Sequence, residues 1–153
     1  MRSFINNSIF RWIAVLPGAV LAAFAAMFPW HWLVVFLANT EFWELGQGSG
    51  VGTLVRILEP ENVERLGYGF IVPSVMIIIA AKIAPRHKLA TGRVVALLVV
   101  TVLIWVAFIS EASFIDYFQY ASGWDTLYPI VLVGLWCSGI YAALRFNKGQ
   151  FTD

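Results

Sequence analysis

The sequence predicts an all-α polytopic membrane protein, a bundle of four transmembrane helices with both termini in the cytoplasm. Three observations predict it. Of 153 residues, 60% are hydrophobic and only 12% charged, with a mean hydropathy of +0.79, whereas roughly 25% charged residues is usual in a soluble domain. Four apolar stretches each approach or exceed the ~20 residues that a helix needs to cross about 30 Å of hydrocarbon. Charge, finally, is sorted by side. Eight of the ten Lys and Arg residues border these stretches in three places: Arg2 and Arg11; Lys82, Arg86, Lys88 and Arg93; Arg145 and Lys148. Eight of the nine acids fill the two gaps between them: Glu41, Glu44, Glu59, Glu61 and Glu64; Glu111, Asp116 and Asp125. Loops rich in Lys and Arg are retained in the cytoplasm, so the basic segments are expected inside and the acidic ones outside.

The chain reads as one membrane domain, residues 1–153, with spans at about residues 10–36, 68–84, 94–109 and 127–144 and an external loop at 39–66. The first span is longer than one crossing requires. Pro17 predicts a kink, and Pro29, followed by Trp30, His31 and Trp32, looks like the outer end, because Trp favours the membrane surface. Residues 30–38 then either continue as helix or lie on the surface. The run is expected to be a retained helix rather than a cleaved signal, since it continues past Met27 into Val34.

The external loop carries Gly46, Gly48, Gly50 and Gly52 at alternate positions, which favours irregular backbone over helix. A short amphipathic helix is expected over 53–58. Pro60 suits a first helical position, and Glu61 and Glu64 suit the positive helix end that follows. The second span holds Pro73 and Ser74 and stops at Pro85, with Lys82 reaching back to the surface. A basic turn leads into a third span of Val, Leu and Ile, and an aromatic, acidic loop leads into the fourth, which closes on Arg145 and Lys148.

Helices in lipid associate by close packing, so small residues mark contact faces. Gly18, Ala22 and Ala26 recur every four residues in the first span, and Gly134, Ser138 and Ala142 do so in the fourth. The expectation is that these stripes meet within one bundle; the alternative is that one of them faces a second copy.

Motifs for chemistry are missing. The middles of the spans carry no charge, although intramembrane carriers and proton relays usually place ionisable residues there. His31, His87 and Cys137 are assigned to three different depths, so no metal or cofactor is expected. Ser74 and Ser138 lack a neighbouring base and are expected to bond to backbone carbonyls one turn back. The alternating glycines lack the Lys and Ser/Thr of a phosphate loop. One cysteine alone leaves no intrachain disulfide.

Two polar surfaces remain. A cytoplasmic basic face of Lys82, Arg86, Lys88, Arg93, Arg145 and Lys148 suits acidic lipid headgroups or an acidic protein. An external docking surface is expected from Phe42, Trp43, Phe114, Tyr117, Phe118, Tyr120 and Trp124, more rings than anchoring requires. Partners are thus the lipid bilayer, a second protein and, in the alternative, further copies of the chain; nothing points to nucleic acid.

The stretch GFIVPSVMIIIAAKIAPRHKLATGRVV, Gly69 to Val95, resembles the second-to-third helix hairpin of small uncharacterised four-span bacterial membrane proteins. The resemblance rests on Ile83, Ala84, Pro85, His87 and Lys88, covers about a sixth of the chain, and implies no activity. The expected function is therefore non-enzymatic: a small subunit of the bacterial inner membrane acting as anchor, scaffold or sensor for a partner complex, such as one of a defence or stress system. The alternative is a homo-oligomeric channel or carrier component.

Overall fold

The structure, a computed structural model, describes residues 8–39, 59–109 and 124–151. They form four packed helices, α1 (Ser8–Ala38), α2 (Pro60–Ile83), α3 (Lys88–Ile109) and α4 (Trp124–Gln150). Each is long and apolar enough to cross a membrane. The chain is a multi-pass membrane protein by these four candidate spans.

Each helix has a local cause. α1 passes unbroken through Pro17 and Pro29; a proline removes one donor without ending a helix whose neighbours and apolar surroundings hold it. Pro29 is therefore not an end, and residues 30–38 continue the helix. Its 31 residues extend about 46 Å at 1.5 Å each, well beyond the hydrocarbon thickness. α2 begins with Pro60 in its first turn and Glu61 beside it. It ends where Ala84, preceding Pro85, takes the extended conformation (φ −54°, ψ 129°) that a following proline imposes. His87 completes the turn with a left-handed φ of 51°. Its carbonyl accepts the Thr91 amide (2.9 Å) and hydroxyl (3.1 Å), which starts α3.

α2 is the central helix. It packs on each of the other three, α3 touches α4 lightly, and α1 makes no substantial interface with α3 or α4. Successive helices are antiparallel: His31 meets Glu64 at one end of the α1–α2 pair, and Arg11 Nε donates to Ile83 O (3.1 Å) at the other. Asn147 of α4 lies against Ile77 of α2.

The core is small-residued. Val15, Ala19, Ile77, Ala80, Ala84, Val95, Ala96 and Ala143 are buried together, while Leu21, Phe28 and Leu97 are 67–69% exposed. Alanines inside and large apolar side chains outside invert the soluble pattern. In lipid that order is favourable, because hydrocarbon solvates the outer chains and small residues let backbones approach.

The expected stripes do not meet. Gly18 lies against Ile83 of α2, where an added Cβ would come within 2.6 Å of its Cδ1; Ala22 and Ala26 are half-buried beside the buried Ala19 and Ala23. On α4 the stripe points outward: Gly134, Ser138 and Ala142 are exposed, and a Cβ on Gly134 would meet no described atom within 4 Å. The face toward α2 is one residue further on, at Gly139, Ala143 and Asn147, all buried. One residue is a rotation of about 100° on a helix, enough to exchange inside for outside.

Candidate functional site

Polar groups collect at the two ends of the bundle. Where α1 finishes and α2 begins, Glu64 is the hub. Its Oε1 accepts the Tyr68 hydroxyl one turn later and lies 2.8 Å from His31 Nδ1 of α1. Its backbone carbonyl accepts Trp30 Nε1 (3.1 Å). Gly67 makes that approach feasible, because a Cβ there would overlap the Trp30 ring. The His31–Glu64 contact is the one acid–base side-chain pair found among the described residues, an ion pair when the imidazole carries two protons. It is half exposed on the histidine side, at 47%, and joins two helices at the rim of a 250 Å³ apolar recess formed by Phe24, Met27, Phe28, His31 and Tyr68.

Glu41 and Glu44, the acids nearest His31 in the sequence, lie outside the described residues. Glu64 is the described acid that meets His31, and the sequence signal for it was faint. Glu64 and Tyr68 share a helix face at i, i+4, but their meeting with His31 requires α1 to continue past Pro29.

A second, larger recess of 370 Å³ opens between α2, α3 and α4. Val72, Pro73, Val99, Leu103, Leu132 and Trp136 wall it, with Arg65 and Tyr68 toward the Glu64 end. Pro73 is buried and offers no amide to its helix, so the Gly69 carbonyl one turn back lacks its usual helical donor.

Ser74 lies beside this recess and locks α2 to α4. Its hydroxyl has one proton to give and sits 2.6 Å from Phe70 O and 3.1 Å from Gly139 O across the interface. Sequence reasoning anticipated the bond one turn back, not the one to the neighbouring helix. Ser138 bonds within its own helix, to Leu135 O (2.8 Å).

At the opposite end, α3 and α4 flank a 580 Å³ groove lined by Leu89, Arg93, Tyr141, Leu144, Arg145 and Lys148. Half of the expected basic face thus converges on one place. Lys82 and Arg86 are exposed elsewhere at this end, and Lys88 lies over the Phe151 ring at 4.5 Å, a cation–π contact that fixes the end of α4 beside the start of α3.

Asn147 is buried nearby, 1% exposed, with Nδ2 donating to Ile77 O (3.3 Å). Its Oδ1 has no hydrogen-bond partner among the described residues. Gly92 of α3 leaves room for it, since a Cβ there would lie 3.0 Å from Nδ2.

Among the described residues no three His, Cys, Asp or Glu side chains gather at metal-binding range; His31, His87 and the exposed Cys137 stand apart. Of the expected docking rings, Phe42, Trp43, Phe114, Tyr117, Phe118 and Tyr120 lie outside the described residues, and Trp124 opens α4. Comparison with protein-family models, with curated proteins and with solved structures gives no match. The hairpin resemblance thus extends to no family, and the chain stands on its own residues as a multi-pass membrane protein of four packed, apolar helices.

Proposed function

We propose that the chain is a non-enzymatic membrane subunit that anchors or scaffolds a partner protein complex, with N- and C-termini in the cytoplasm of a bacterium and the acidic end of the bundle outside. The observation that carries this reading is the open small-residue face of α4. Gly134, Ser138 and Ala142 are exposed with no described residue against Gly134, and small residues at four-residue spacing are the surface on which membrane helices dock closely. Among the described residues such a face is left uncovered after the four helices are packed. The uncharged middles of its helices support a structural role over ion coupling.

Gly134→Leu tests the reading. In protein extracted with its lipid shell and weighed intact, the native chain is expected in a defined complex with a second protein, and G134L is expected to release it while keeping its helix content. A complex that survives G134L refutes docking at this face.

A second reading, a homo-oligomeric channel or carrier component, is favoured by the recess at Pro73. A carbonyl left without its helical donor on a cavity wall is one of the groups with which carriers coordinate cations. A complex containing only copies of this chain, together with ion flux in liposomes, would move the assignment there.

A further inference from the structure

The groove between α3 and α4 is built unlike the rest of the surface. Arg93 comes from one wall and Arg145 and Lys148 from the other, above Leu89, Leu144 and the ring of Tyr141. No Asp or Glu occurs between Glu64 and Glu111, or between Asp125 and Asp153. The described acids Glu59, Glu61, Glu64 and Asp125 belong to the far end of the bundle. Three cations thus converge with no described carboxylate near enough to compensate them.

The walls are also held in place. Asn147 ties α4 to Ile77 of α2, the Phe151 amide closes the last turn on Asn147 O (2.9 Å), and Lys88 caps the Phe151 ring. Arg145 Nη1 donates to the Tyr141 hydroxyl oxygen (3.4 Å). That contact uses an oxygen lone pair and leaves the phenolic proton free to donate in turn. A groove whose walls are held in place before binding spends less on ordering them.

We infer that this groove is a binding site for an anionic phospholipid headgroup carrying two phosphodiesters. The groove lies where the helices leave the hydrocarbon, so its ligand is drawn from the lipid layer, and basic pockets between membrane helices are suited to multiply charged headgroups. Arginine and lysine on opposing walls each face one phosphate, and three positive charges meet two negative ones. Tyr141 donates to a phosphate oxygen. The acyl chains follow the outer face of α3, where Val94 and Leu97 are 55% and 67% exposed. The volume, 580 Å³, falls within the roughly 300–1,000 Å³ of small-molecule sites.

The test is intact-mass measurement of the purified full chain from bilayer discs holding diphosphatidylglycerol or, at equal total charge, phosphatidylglycerol. One diphosphatidylglycerol is expected to remain bound to the native chain. R93Q/R145Q is expected to lower its retention about tenfold or more, at the level of each Lys or Arg contributing to headgroup attraction. The charge-matched variant K82Q/R86Q, at the same end but outside the groove, is expected to hold it within about twofold of the native chain. R145Q alone, checked for native helix content, gives the same direction should the double variant misfold. Equal losses in the two double variants would overturn the site in favour of diffuse attraction. Equal retention of phosphatidylglycerol would overturn the two-phosphate headgroup, and displacement by inorganic phosphate would show a free-anion site instead.

Discussion

The contact between α2 and α4 makes a quantitative prediction, because two glycines on the same helix, five residues apart, have opposite surroundings. A Cβ on Gly139 would stand 2.6 Å from the Phe70 carbonyl oxygen and 2.9 Å from Ser74 Oγ; a Cβ on Gly134 meets no described atom within 4 Å. Ordinary contact begins at 3.4 Å, so Gly139→Ala must separate the helices locally by about 0.8 Å, since a backbone carbonyl cannot rotate aside. The 3.1 Å contact from Ser74 Oγ to Gly139 O is then carried past hydrogen-bonding range. Overpacking of this kind costs roughly 1–3 kcal/mol, and an interhelical hydrogen bond in a membrane contributes about 0.6 kcal/mol. Alanine gains up to about 1 kcal/mol of helix propensity at either position, so that gain cancels in the comparison. G139A is therefore expected to unfold more readily than G134A by roughly 2–3 kcal/mol, and G134A to match or exceed the native chain. The assay is reversible unfolding in mixed micelles of increasing denaturing-detergent content, at a protein concentration where particle size is unaffected by dilution. Equal stabilities, or a larger loss in G134A, would refute the packing register and turn the Gly134–Ser138–Ala142 face toward the bundle.

Three further outcomes are expected. A double-mutant cycle of His31→Ala and Glu64→Ala should give a coupling of at most about 1 kcal/mol, because the histidine is half exposed and such pairs are screened; a coupling several times larger would show a desolvated pair. Asn147→Asp should cost about 2–4 kcal/mol in the same unfolding assay, since it replaces the donor to Ile77 O by an anion in a buried position; a neutral result would place Asn147 at the surface. Cys137, exposed on α4, should resist maleimide in intact membranes, because the thiolate does not form in hydrocarbon, and react once the protein is unfolded in detergent; ready reaction in intact membranes would place this part of α4 in water.

Composition and charge alone determined that the chain is a four-helix membrane protein, because spanning hydrocarbon demands uninterrupted apolar helices whatever they pack against. The turn at Pro85 and the start at Pro60 were equally legible, since proline acts on its own and the preceding backbone. Tertiary structure decided which faces meet. Small residues occur on α4 in two registers, Gly134–Ser138–Ala142 and Gly139–Ala143, and nothing local distinguishes them; the choice depends on Ser74 and Phe70 of another helix lying opposite Gly139. The same holds for the candidate sites. Every basic residue was visible in sequence, yet that Arg93, Arg145 and Lys148 share a groove while Lys82 and Arg86 do not follows from which faces α3 and α4 turn toward each other. Glu64 gains its partners His31 and Tyr68 because α1 runs on past Pro29. Hydropathy is additive along a chain and can be read residue by residue, whereas the pairing of faces is a property of two surfaces at once and exists only when both are in place.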